Sequence, residues 1–330
     1  MGTSELISLQ LRMFLVMLVG LFFRKKNIIT AEGKKTLTDL VIYLILPCNI
    51  VKSFMIDFDG NVLKNFGLVF IISIGIQVMC AVLAKVLYRR VAPGRKAVLQ
   101  YGTIVSNAGF LGNPVAEGVF GSIGLALASV YLIPQRIVMW SAGVSYFTTA
   151  NKTGKWDDVQ ETADEQAGRK QQKKAHRLDV LKRVVTHPCI VAVVIGVLFM
   201  FAKVQLPAFL DAALKDLSGC NTAMSMLVIG TILADVKPKE MLDKSVFLFS
   251  GLRLLIIPLL TYIGCLLCSV EGLATGVSVL LAAMPAASTT AILAAKYDGD
   301  AVYASKCVVT TTVLSLLTTP VWSMILLKQI

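Results

Sequence analysis

The chain has 330 residues, of which 56% are apolar and only 16% charged, with a mean hydropathy of +0.73. Soluble domains of this total length could not bury so much apolar surface, so lipid is the expected solvent. A soluble enzyme, a secreted disulfide scaffold and a disordered chain are excluded, and the excess of 32 Lys and Arg over 20 Asp and Glu marks cytoplasmic loops rather than a nucleic-acid surface.

Apolar runs near the length of a membrane span occur ten times: Leu6–Phe23, Leu37–Met55, Phe66–Leu87, Ala97–Phe120, Ile123–Phe147, Val184–Val204, Leu210–Ala234, Val246–Val270, Leu273–Ala295 and Ala301–Leu327. The first lacks a basic leader and a small-x-small cleavage site, and Arg24-Lys25-Lys26 follows it. It reads as a retained span rather than a signal peptide. The seventh is the weakest, with Asp211, Lys215 and Asp216 in its first turns.

Counted over the loops, 23 of the 32 basic residues fall on the odd-numbered side. The positive-inside rule makes that side cytoplasmic and leaves both termini outside, with the cell membrane as the expected location. The polar stretch Ala150 to Arg183 divides the chain into residues 1–149 and 184–330, each with five spans. An odd number of spans inverts the second half relative to the first. The expected fold is therefore an all-α polytopic membrane protein of ten transmembrane helices in two inverted five-helix repeats, the arithmetic of secondary transporters. The sequon Asn151-Lys152-Thr153 falls on the cytoplasmic side, where it is inert.

Two spans are interrupted at equivalent places. The fourth contains Ser106-Asn107-Ala108-Gly109-Phe110-Leu111-Gly112-Asn113-Pro114, and the ninth contains Met284-Pro285-Ala286-Ala287-Ser288-Thr289. Pro114 removes an N–H and disfavours the helical region for Asn113, so Asn113 is expected as N-cap of a half-helix starting at Pro114. The inverted halves predict that the broken helices run antiparallel and cross. Half-helix starts after Pro114 and Pro285 would aim free N–H groups and positive dipole ends into a cavity, a site suited to an anion.

Charges within the spans have the same sign. Arg136, Arg253 and Lys306 lie inside the fifth, eighth and tenth spans, while acids keep to loops and span ends, the deepest being Glu117. Membrane-embedded cations are costly and mark function. Arg136 and Arg253 are therefore candidate substrate contacts beside Asn107, Asn113, Pro114, Pro285, Ser288 and Thr289. On this reading Arg253→Ala costs more transport than Lys306→Ala. Coupling stays open between Glu117, Lys306, backbone carbonyls holding sodium, and no ion; no metal or cofactor is expected beyond Na+ or H+. The seven cysteines, with Cys265 and Cys268 in an apolar CxxC, and the two histidines, His176 and His187, read as packing residues, not as a metal or catalytic cluster.

Several motifs together resemble the auxin efflux carrier family. They are Gly20-Leu21-Phe22-Phe23-Arg24-Lys25-Lys26, Leu46-Pro47-Cys48-Asn49, the Asn107 to Pro114 run leading to Phe120-Gly121, Met284-Pro285, Ala294-Ala295-Lys296-Tyr297, and Leu316-Leu317-Thr318-Thr319-Pro320. The likeness reaches nearly every span and looks like a bacterial malate or malonate permease, since the loop after Ala150 is short. It implies a fold similar to bile acid and sodium/proton transporters, with spans one, two, six and seven as scaffold and the other six as a moving core. It also implies elevator-type secondary transport of small carboxylates such as malate, malonate or auxin-like acids. The family often has an aliphatic residue where Asn113 stands. The implied partners are the organic anion and the bilayer, without nucleic acid, and a homodimer through the scaffold helices is left open. A sodium or proton/cation exchanger is the competing reading, disfavoured by the lack of deep acids.

Overall fold

A computed structural model describes residues 3–55, 60–143, 145–147, 186–234, 243–270, 272–297 and 299–327. The stretch 150–183, with Asn151 and His176, lies outside the described residues. In chain order the helices are α1 (Thr3–Lys25), α2 (Ala31–Phe54), α3 (Gly60–Leu87), α4 (Pro93–Ile104), α5 (Ala108–Val138), α6 (Pro188–Ala202), α7 (Ala208–Ala234), α8 (Lys244–Leu267), α9 (Leu273–Ala282), α10 (Thr289–Lys296) and α11 (Ala301–Leu327). Among the described residues six of these are long and apolar enough to cross a membrane: α2, α3, α5, α7, α8 and α11. Rows of exposed apolar side chains such as Ile71, Ile74, Val78 and Val82 on α3 are the face such a helix turns to lipid.

Prolines shape these helices in a recurring way. A π-turn at Val41–Ile45 precedes Pro47, one at Ala108–Gly112 precedes Pro114, and one at Leu252–Ile256 precedes Pro258. Proline cannot donate to the carbonyl four residues back and its ring collides with it. Widening the preceding turn moves that carbonyl aside and lets the helix continue. This corrects the expected break at Pro114. Asn113 is helical at φ −58° and ψ −51°, its N–H donates to the Ala108 carbonyl, its side chain caps nothing among the described residues, and Pro114 sits inside the helix. The chain departs from the helix earlier, at Val105, where φ and ψ are −103° and 111°. Asn107, not Asn113, precedes the new helix. A second interruption lies at Gly121, whose φ of 69° and ψ of −161° fall where only glycine is comfortable.

Packing separates two groups of helices. Helix α1 lies mainly on α7, and the second half of α2 lies on α6 and α7, whereas α3, α5 and α9 pack on one another, and α10 and α8 pack on α11. The α1–α7 contact depends on two glycines. A Cβ at Gly230 would stand 2.0 Å from the carbonyl oxygen of Met17, and one at Gly20 would stand 2.3 Å from that of Leu227. Small residues permit this close backbone approach between membrane helices. Gly230→Ala is expected to cost about 1–3 kcal/mol by overpacking, read as a lower unfolding temperature of detergent-purified protein. A wild-type temperature would show that α1 and α7 separate freely.

The seventh apolar run begins with charge yet forms helix from Ala208. Asp211 pairs with Lys52 of α2, while Lys215 and Asp216 stay exposed. At the start of α8, Asp243 accepts from the Ser245 N–H at 2.9 Å and from the Ser245 hydroxyl at 2.7 Å. These bonds hold its carboxyl below the usual carboxylate range, as expected for an N-cap.

Candidate functional site

The two broken segments meet. An antiparallel bridge joins Ser106 and Ala286: the Asn107 N–H donates to the Pro285 carbonyl at 2.7 Å, and the Ala287 N–H donates to the Val105 carbonyl at 3.2 Å. Non-helical backbone at membrane depth survives only when its polar groups are satisfied. Here side chains hold two more. The Ala286 N–H donates to Thr311 Oγ1 at 3.2 Å, and Gln135 Nε2 donates to the Ser106 carbonyl at 2.7 Å. The Ser106 hydroxyl in turn donates to Gln135 Oε1 at 3.0 Å. Gln135→Ala leaves the buried Ser106 carbonyl unpaired, at an expected cost of about 1–3 kcal/mol. Its unfolding temperature should fall, and that of Gln135→Glu, which sets an acceptor-only carboxylate against the same carbonyl, should fall at least as far.

Helices α5 and α10 both begin at this crossing, so the free N–H groups of their first turns and their positive dipole ends converge on it. The crossing forms the floor of a cavity of about 820 Å³. Its walls carry Asn107, Gln135, Arg136, Ser288, Thr289 and Lys306. Lys34, Lys35 and Asp39 stand at the rim, where Lys35 and Asp39 are exposed. Asp39 is the acid among the lining residues, against Lys34, Lys35, Arg136 and Lys306. Arg136 is 7% exposed, and its Nη1 has no hydrogen-bond partner among the described residues. Its Nη2 lies over the first turn of α5, 3.9 Å from where a Cβ on Gly109 would be. Thr289 Oγ1 accepts from the Tyr101 hydroxyl at 2.9 Å, which orients α10 against α4.

The residues singled out from the sequence therefore divide. Asn107, Ser288, Thr289, Arg136 and Lys306 line one cavity. Pro285 contributes its carbonyl to the crossing instead. Asn113 is fully buried inside α5, with both amide atoms unpartnered among the described residues, and Pro114 follows it. Arg253 is 2% exposed and lies among Cys80, Tyr88 and Tyr131, away from the cavity. Glu117 is also elsewhere, held by Asn49 Nδ2 at 3.2 Å.

A basic cavity built on two crossed, broken membrane helices is the geometry of a carrier, and the whole-chain comparison agrees: residues 6–323 match the family described as membrane transport protein. The chain belongs to that family. It is the auxin efflux carrier family whose motifs the sequence carries. Two relatives are uncharacterized transporters of methanogens. One, from Methanothermobacter thermautotrophicus, is 27% identical over 329 residues, 99% of each chain. The other, from Methanocaldococcus jannaschii, is 24% identical over 324 residues, covering 95% of this chain and 96% of the relative. The chain is thus a multi-pass membrane transporter, and its family and both relatives are transporters rather than enzymes.

Some of the transporter's lining residues were missed in the sequence. Gln135 had a readable signal, since it follows Pro134 and adjoins Arg136 in an otherwise apolar run. His187, Phe110 and Ser305 had none. His187 uses its Nδ1 to accept from the Cys189 N–H at 3.3 Å, capping α6.

Proposed function

We propose that this transporter carries small organic anions, mono- or dicarboxylates of the malate, malonate or auxin-like kind, by elevator-type alternating access in the cell membrane. The observation that carries the reading is the convergence of two helix N-termini and the Arg136 guanidinium on one cavity floor. A carboxylate there accepts hydrogen bonds from Asn107, Ser288, Thr289 and first-turn N–H groups, and pairs with a guanidinium whose Nη1 has no partner among the described residues.

The helices support ten crossings in two inverted halves. Helix α4 with α5 up to Phe120 makes one broken crossing, and α9 with α10 makes the other. The remainder of α5 past Gly121 and the other helices make eight more. The distribution of basic residues supports a cytoplasmic side for residues 150–183 and an outer side for both termini. In that orientation the cavity rim at Lys34 and Lys35 opens inward. The packing of α1 on α7 and of α2 on α6 and α7 supports their role as scaffold, and the remaining helices slide past it where α2 meets α5 and α1 meets α11.

Counterflow in proteoliposomes tests the reading. Vesicles preloaded with unlabelled malate, malonate or indole acetate should take up the labelled acid transiently, while protein-free vesicles do not. Uptake of a neutral solute without any carboxylate counterflow would refute an anion carrier. A sodium flux driven by a pH gradient without organic substrate would instead establish a cation exchanger.

A further inference from the structure

Outside the cavity, one carboxyl lies deep among the helices: Glu117. This carboxyl sits where α5 meets the α2–α7 pair. Asn49 Nδ2 of α2 donates to its Oε2 at 3.2 Å, and Asn49 Oδ1 accepts from Ser218 Oγ of α7 at 3.3 Å. Asn221 of α7 faces the same carboxyl and accepts from Ser225 Oγ at 3.4 Å. Asn49 and Asn221 are each 1% exposed. Asn113, one turn earlier on α5, brings a third buried amide with no partner among the described residues. The carboxyl, itself half-buried, thus faces two buried amides, Asn49 and Asn221, and has no salt-bridge partner among the described residues. Of the charges on the surrounding helices, Lys52 and Asp211 pair with each other, Lys215 and Asp216 are exposed, and Lys64 and Lys85 stand at the two ends of α3. Arg136 lies at the other end of α5, and α6 and α9 carry no charged side chain.

We infer that Glu117 binds a proton that moves in the same direction as each substrate anion. The inference rests on the carrier reading above and adds its coupling. The Glu117–Asn49 bond joins the proposed core to the proposed scaffold, so the carboxyl sits where the two slide past each other. Charge decides which state moves, because uncompensated charge is costly at membrane depth. A bound monoanion adds one negative charge to the core, and one proton on Glu117 restores the charge of the empty core, whatever the fixed contributions of Arg136, Arg253 and Lys306. The empty core moves with Glu117 ionised and its charge unchanged. The core with substrate alone, or with the proton alone, carries an uncompensated charge and stays. The balance is one proton per monoanion, with no bond made or broken other than the O–H of the carboxyl. The amide donor already aimed at Oε2 favours a proton over a metal ion, because an ion there would need oxygen ligands facing it.

Radiolabelled indole acetate, a monoanion at neutral pH, in proteoliposomes of the full chain decides it. Counterflow at equal pH on both sides first establishes carboxylate transport. An external pH about one unit more acidic than the lumen should then raise early accumulation, above that of protein-free vesicles, by up to about tenfold at one proton per substrate. Glu117→Gln should exchange indole acetate measurably yet show no response to the gradient beyond that of protein-free vesicles. A wild-type response in Glu117→Gln, or no response in the wild type, overturns the assignment while leaving the carrier intact. Accumulation driven by a sodium gradient and lost in Glu117→Gln also overturns it, in favour of a sodium ion at the same carboxyl. Absence of all carboxylate counterflow in the wild type defeats the carrier reading and the coupling together. Should Glu117→Gln fail to fold, Glu117→Asp keeps an ionisable group on a shorter arm. Its gradient response must persist with a displaced pH profile, and an undisplaced profile overturns the assignment.

Discussion

Arg136→Ala is expected to abolish high-affinity carboxylate transport without harming the folded protein. The guanidinium lines the cavity floor over Gly109, at the start of α5, and its Nη1 lacks a partner among the described residues. Hydrogen bonds to a charged ligand contribute about 1.5–3 kcal/mol, which corresponds to roughly 10–150-fold in affinity. Stability should move the other way or not at all, since removing a poorly paired buried cation relieves a desolvation cost. Arg136→Lys should recover only part of the affinity, because an ammonium cannot offer a planar fork to a carboxylate. Scintillation-proximity binding and counterflow measure the first effect, and thermal unfolding the second. Undiminished malate affinity in a well-folded Arg136→Ala protein would remove this residue from the substrate site.

The second large effect concerns Arg253, with a different cause. Both arginines lie mid-span, and the sequence alone puts them on an equal footing. Arg253 is enclosed among Cys80, Tyr88 and Tyr131, within the π-turn that accommodates Pro258. One residue on, the Leu254 carbonyl is tied to α11 by Trp322 Nε1 at 2.9 Å. Arg253→Ala should therefore lose transport through loss of folded protein. Emptying such a volume costs about 2–5 kcal/mol. Arg253→Met, of similar volume and uncharged, should restore both folding and counterflow, because a buried charge replaced by a well-packed apolar side chain is often neutral or stabilising. A stable but inactive Arg253→Met protein would return Arg253 to the transport chemistry. The pair thus separates volume from charge, which alanine alone does not.

The contrast between these arginines shows how far the sequence could be read. Arg136, Asn107, Ser288, Thr289 and Lys306 were identified from residue type and place in a span, and they share one cavity. The first break lies about two turns before Pro114, the residue that marks it in the sequence. A π-turn absorbs that proline, and the departure at Val105–Asn107 has no proline of its own. What stabilises that departure is the partner strand at Pro285–Ala287 and the side chain of Gln135, both distant along the chain. The seventh run looked marginal because Asp211 is charged, yet its partner Lys52 lies on another helix.

The sequence by itself determined that the chain lives in lipid, that its basic loops alternate, and that two of its spans cannot be continuous. Each of these follows from properties of single residues and their spacing: transfer cost, charge, and the missing N–H of proline. The tertiary structure decided where the breaks cross and that Arg136 faces the cavity while Arg253 is packed away. It also decided that Glu117 touches a different group of helices from its own. Those outcomes depend on which backbone groups find partners across the fold, and a hydrogen bond such as Asn107 to Pro285 exists only once both half-helices are in place.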